Sequence, residues 1–179
     1  MGEALLEAVY RAYAPGVSGY LRAQGASDPD DLTGDVFVAV ARRLDAFRGD
    51  AADLRSWVFT IAHHKLVDDR RRTARHRTAP TDPAALPEPA HPGFEDAAAA
   101  RLDALPATAA IRLLTPDQQA VVLLRILADL SIAEVARILD KPEGAVKTLQ
   151  RRALASLARH LTPPEERLRA PALRVAPAS

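Results

Sequence analysis

Residues 130–153 constrain the fold of this chain more than any other stretch, because they hold a helix start, a break and a second helix start in close succession. Ser131 followed by Glu134 is a capping box, in which each side chain satisfies an orphan amide at the helix start. Ile132, Val135, Ala136 and Leu139 then recur at helical spacing. Asp140-Lys-Pro-Glu-Gly144 breaks the pattern, and Pro142 is placed as the first residue of a new helix. At about 100° per residue, Val146, Ala153 and Leu157 share one face, while Lys147, Thr148, Arg151 and Arg152 project roughly the other way. A short helix, a tight turn and a second helix with a basic, hydroxyl-bearing outer face form a helix-turn-helix that fits the DNA major groove. An amphipathic hairpin with a solvated basic face has the same periodicity, so the rest of the chain must decide.

At 179 residues the chain can hold one large domain or two small ones. Aromatics are scarce and alanine and leucine abundant, which favours helices packed through aliphatic side chains. The chain has no cysteine, which excludes a disulfide framework and a thiolate metal site. No apolar run approaches the length of a bilayer span and the N-terminus lacks a signal pattern, so a cytoplasmic location without membrane insertion is expected. A net charge of +1 argues against a non-specific polycation. The charges are segregated: Asp28, Asp30, Asp31, Asp35, Asp45, Asp50 and Asp53 crowd one segment, and Arg70, Arg71, Arg72, Arg75 and Arg77 the next. Neighbouring surfaces should therefore meet different partners.

The expected architecture is all-α, with two small helical domains joined by a Pro-rich linker. The first covers residues 1–77. Leu5, Leu6, Val9, Tyr13, Val17, Tyr20 and Leu21 mark a helix, with a bend expected near Pro15-Gly16. Asp28 and Pro29 signal a second start, after which Leu32, Val36, Val40, Leu44 and Phe47 point inward. Arg48-Gly-Asp50 opens a loop, and residues 54–72 form a third helix with Leu54, Trp57, Val58, Ile61 and Leu66 as core. Residues 78–106 are an acidic, Pro-rich tether, although Phe94 to Leu105 can begin a helix. The second domain covers residues 107–161, where Thr115, Pro116 and Gln118 repeat the start signal. Residues 162–179 should be a disordered tail.

No catalytic constellation is evident, and neither enzyme activity, a metal nor a cofactor is expected. His63 and His64 are adjacent, hence about 100° apart on a helix, whereas helical zinc pairs stand four residues apart. Asp68-Asp69 reads as a surface pair salt-bridged by its neighbouring arginines. Gly144 is no phosphate loop.

In order and spacing, the segments resemble the sigma-70 family of bacterial sigma factors, in its small extracytoplasmic-function group. Asp28-Pro-Asp-Asp-Leu-Thr-Gly-Asp-Val-Phe-Val38 resembles the segment that grips core RNA polymerase. Phe47-Arg-Gly-Asp50, Leu54-Arg-Ser-Trp-Val-Phe-Thr-Ile-Ala62 and Asp68-Asp-Arg-Arg-Arg72 resemble the promoter-melting segment. Leu114-Thr-Pro-Asp-Gln-Gln-Ala-Val-Val-Leu-Leu-Arg125 and Gly144-Ala-Val-Lys-Thr148 resemble the C-terminal module. The resemblance covers nearly the whole folded chain. It departs from the family at His63-His64, where Arg-Asn is common, at Leu149, where Arg is common, and at Ala145, where Thr is frequent. Promoter sequence therefore does not transfer from relatives.

The resemblance implies a transcription initiation factor without catalysis. Asp30, Asp31, Leu32, Asp35 and Val38 would dock on the clamp helices of the largest polymerase subunit. Acids at a helix start also favour the helix dipole and need no partner. Arg48, Asp50, His64, Arg70, Arg71 and Arg72 would hold the minus-ten promoter element, the loop at Arg48 to Asp53 wrapping a flipped base. Trp57 is left as core. Lys147, Thr148, Arg151 and Arg152 would read or clamp the minus-thirty-five element. The polymerase flap and an anti-sigma factor are further implied partners, and the linker would lie in the RNA exit channel. Two other readings stay open. A LuxR-type helix-turn-helix regulator fits Glu143-Gly-Ala-Val-Lys-Thr148 but would place a βα sensory domain first. A protein-interaction adaptor explains the acidic helix and leaves both basic faces without purpose.

Overall fold

Several helices begin where side chains meet the orphan backbone amides. A computed structural model describes residues 2–78 and 106–161, and every regular element among them is helical. Helix α1 spans Gly2–Ala23 and runs unbroken through Pro15. The missing amide and ring clash of an interior proline cost about 3 kcal/mol. Burial of Val9, Val17, Tyr20 and Leu21 on either side offsets this, since each fully buried side chain of that kind contributes roughly 2 kcal/mol. The residues on both sides of Pro15 thus belong to one helix. The helix ends in a Schellman motif, with Ala26 N donating to Leu21 O (3.1 Å) and Gly25 N to Arg22 O (3.1 Å). Gly25 supplies the left-handed φ of 71° that this motif requires.

Helix α2 spans Pro29–Leu44, and Asp28 caps it by accepting from the amides of Asp30 and Asp31. Helix α3 spans Ala51–Thr78 and so starts ahead of the expected Leu54. Asp50 is the reason. Its carboxylate accepts from Ala52 N (2.8 Å) and Asp53 N (2.9 Å), while that of Asp53 accepts from Asp50 N (3.2 Å). Two aspartates thus close an acidic version of the capping box.

In the second module, α4 spans Pro106–Arg112, α5 Pro116–Ile126, α6 Ile132–Ile138 and α7 Glu143–Leu161. The Thr115/Gln118 and Ser131/Glu134 capping boxes are both complete. Helix α6 ends in another Schellman motif, built from Asp140 N to Arg137 O and Lys141 N to Ala136 O, with Asp140 at φ 50°. Pro142 stands just before α7, where its carbonyl accepts from Ala145 N and Val146 N.

The apolar stripes of α1, α2 and α3 pack around Tyr20, Leu21, Val36, Val40, Val58 and Leu66. That core continues without interruption into Leu124, Leu130, Val135 and Val146 of the second module. Leu114, Val122 and Ala153 form a smaller cluster beneath α7, with Leu157 packed on it. Trp57 packs on the ring of Phe47 (centroids 5.1 Å) at the edge of the main core. Most of the expected linker, the helix suggested from Phe94, and the tail lie outside the described residues. No helix among the described residues is long and apolar enough to cross a membrane.

Candidate nucleic-acid interface

Helix α7 carries the clearest interaction face. Val146 and Ala153 are fully buried, and this anchoring turns the opposite side of the helix to solvent. Arg151 and Arg152 are exposed there and make no ion pair among the described residues. Lys147 lies 3.7 Å from Glu143, one turn away on the surface, a pairing too exposed to hold the ammonium against a phosphate. The Thr148 hydroxyl donates to Gly144 O (2.9 Å), so only its acceptor side is free for a base edge. Leu149 is half-buried against the core. It fills space, which accounts for an apolar residue there.

The basic stretch of α3 divides in two. Arg71 and Arg72 are exposed and loosely paired, at 3.7 Å from Asp68 and 3.9 Å from Asp69. Arg70, expected on the same face, turns inward. Its Nη2 donates to Gln24 O (2.5 Å) and to Gln24 Oε1 (2.7 Å). Asp69 likewise departs from the surface pair expected of Asp68-Asp69. It is 6% exposed and accepts from Ser27 N (3.0 Å) and Ser27 Oγ (2.5 Å). Burial alone would raise its pKa, but the Ser27 bonds, with Arg72 and Arg70 nearby, hold the carboxyl below its ordinary value.

The loop before α3 is tight. Arg48 Nη1 donates to the carbonyls of Asp45 and Phe47 and thereby closes the end of α2, while the carboxylate of Asp50 is spent on the α3 cap. A Cβ on Gly49 would stand 2.7 Å from Asp53 Cβ and 2.9 Å from Phe47 Cζ, so only glycine fits. His64 is exposed, more than three turns further along α3. His63 is half-buried, and its Nδ1 shares a 2.8 Å hydrogen bond with the Tyr20 hydroxyl. Burial, then His64 and Arg70, push the imidazole down to about 4, with Asp117 opposing and Lys141 adding slightly. Burial also pushes the Tyr20 hydroxyl far above its ordinary pKa. No group of three or more His, Cys, Asp or Glu placed to hold a metal occurs among the described residues.

The acidic helix α2 sorts its residues in the same way. Asp30 pairs with Arg22 (3.1 Å) and Asp35 with Lys65 (3.0 Å). Asp31 is exposed and makes no ion pair among the described residues. Val38 is 50% exposed. Leu32 is only 3% exposed, so it belongs to the core and cannot touch a partner. Sequence reasoning passed over Tyr10, which is half exposed and stands edge-on to Phe37 (centroids 4.7 Å). Its place off the buried stripe of α1 was the available signal.

Residues 9–76 match the family model for sigma-70 region 2, and residues 104–157 that for sigma-70 region 4. The chain is 38% identical over 143 residues to the ECF RNA polymerase sigma factor BldN of Streptomyces coelicolor, covering 79% of this chain and 54% of that protein. It is 34% identical over 141 residues to the ECF RNA polymerase sigma factor SigM of Mycobacterium tuberculosis, covering 79% and 68% respectively. It thus spans about half the length of the first of these relatives and two thirds of the second. The fold is shared with the sigma factor RpoE of Bartonella quintana, solved in complex with the anti-sigma factor NepR (TM-score 0.63, 22% identity, covering 85% of this chain and 93% of that one). The chain belongs to the sigma-70 family, and within it to the extracytoplasmic-function (ECF) group of RNA polymerase sigma factors. That family consists of transcription initiation factors rather than enzymes.

Proposed function

We propose that the chain joins core RNA polymerase in the cytoplasm and selects promoters with two DNA contacts, one in each module. The observation that carries this reading is the outward face of α7, whose exposed Arg151 and Arg152, without an ion pair among the described residues, stand opposite the buried Val146 and Ala153, in a chain that also holds the region 2 module. Arginine can pair bidentately with guanine edges, worth about 1–3 kcal/mol of discrimination, whereas Lys147 serves to position the backbone. Arg71, Arg72 and His64 face solvent on α3 and are suited to hold the minus-ten strand. Capture of a separated base costs a few kcal/mol, which a fitted site recovers.

Asp31, which makes no ion pair among the described residues, and the exposed Val38 are suited to the basic clamp helices of the largest polymerase subunit. Charged groups there steer association and fix register, while apolar contact slows dissociation. The polymerase flap would take the second module, and an anti-sigma factor is a further partner, as for the related fold bound to NepR. Two modest DNA contacts on one chain raise each other's effective concentration.

Run-off transcription on a genomic promoter library, with core polymerase and with or without this protein, tests the reading. Defined start sites that need both components are expected. Tight DNA binding without core, and no core-dependent initiation, would instead favour a helix-turn-helix regulator that acts outside polymerase.

A further inference from the structure

The C-terminus of α1 meets the N-terminus of α5 through one buried side chain. Gln24 is 4% exposed and follows the last residue of α1, so its carbonyl is one of those a helix end leaves without a partner. Arg70 Nη2 fills that vacancy at 2.5 Å and, from the same nitrogen, reaches Gln24 Oε1 at 2.7 Å. With Oε1 held by the guanidinium, the amide can only turn its Nε2 outward. There it donates to Pro116 O (3.4 Å), at the first turn of α5 in the other module. Both ends of one primary amide are thereby committed, one to each module.

The modules also share one continuous apolar core. Leu127 lies against Gly16 and Gly19 of α1: its carbonyl oxygen and its Cδ1 would each stand 3.8 Å from a Cβ built at those positions respectively. Arg55 and Asp129 form an ion pair at 3.4 Å in which the carboxylate is 87% exposed, so water screens most of its energy. The Gln24 amide adds a buried polar tie to that apolar contact.

We propose that Gln24 is a positioning residue through which Arg70 of α3 holds the second module docked on the first. Arg70 acts on the second module only by orienting the amide, so losing the guanidinium and losing the amide donor remove the same bond. The proposal concerns docking in the free chain. It stands or falls apart from the promoter reading, which transcription assays decide.

The chain lacks cysteine, so Ala8→Cys with Ala155→Cys, both exposed, places one donor and one acceptor dye on opposite modules of the full chain. Energy transfer between them reports the docked fraction. Gln24→Glu retains the acceptor for Arg70 and cannot donate to Pro116 O. It should lower the docking constant about five-fold, the worth of one net hydrogen bond. Arg70→Met should lower it by a similar factor, with far-UV helicity of both variants unchanged. Gln24→Met combined with Arg70→Met should be no worse than Arg70→Met alone, because both remove one bond. An unchanged docking constant in Gln24→Glu would overturn the proposal. So would additive losses in the double variant, which would mean that Arg70 and Gln24 act independently.

Discussion

Asp69 is held ionised by Ser27, and this makes the first module sensitive to acid. Its folded pKa lies below the ordinary 3.8, so the native state gains stability above that value and loses it as pH falls through and below it. Asp69→Asn should cost about 1–3 kcal/mol at neutral pH, because one Ser27 donor loses its charged acceptor. Urea melts of the variant should also show a flatter acid limb below pH 4. His63 acts in a separate window. The unfolded imidazole takes up its proton near 6.5, while the folded one waits until about 4, so stability falls as pH drops between those values and levels off below them. His63→Gln retains an acceptor for the Tyr20 hydroxyl and should abolish the pH dependence between 6.5 and 4 in the same melts. A slope that persists would assign it to another group.

At the scale of elements, helix ends were legible because capping is local chemistry. Ser131 with Glu134 and Thr115 with Gln118 meet across three residues, so no distant contact is needed to see them. Ser131→Ala should cost about 1 kcal/mol, read as a lower thermal midpoint. The start of α3 was misplaced because Asp50 and Asp53 are both good caps, and only the reciprocal bonds between them pick the earlier one. Gly49→Ala forces a methyl against Asp53 and Phe47 and should cost about 1–3 kcal/mol, as overpacking does, in chemical denaturation of the full chain. Helix α7 has its basic face set by spacing alone. Reversing Arg151 and Arg152 to glutamate should weaken promoter binding on the order of ten-fold or more in filter or anisotropy assays, with core polymerase affinity nearly unchanged. Joint loss of both affinities would refute the division of labour between modules.

For the molecule as a whole, the free surface of α2 is narrower than its acidic sequence implies. Leu32 is core, and Asp30 and Asp35 form solvent-exposed pairs with Arg22 and Lys65, so of the three acids Asp31 alone makes no ion pair among the described residues. Asp31→Arg with Val38→Asp should reduce core binding in pull-down or competition assays while far-UV helicity stays unchanged. Leu32→Ala should instead unfold the first module, since truncating a buried leucine costs about 2–5 kcal/mol. Loss of core binding in Leu32→Ala alone, with the fold intact, would return that residue to the interface.

The sequence by itself determined that this chain is helical, where most helices start, and which side of α7 faces out, because apolar period and capping act over one or two turns. It also carried the family, through the order of its segments. The tertiary structure alone decided which of several like charges remain free. Arg70 and Arg71 are neighbours about 100° apart, and the α1 terminus happens to lie beside only one of them. Asp68 and Asp69 divide in the same way at Ser27. No local pattern distinguishes the members of such pairs, because the groups that choose between them come from elements more than forty residues away in the chain.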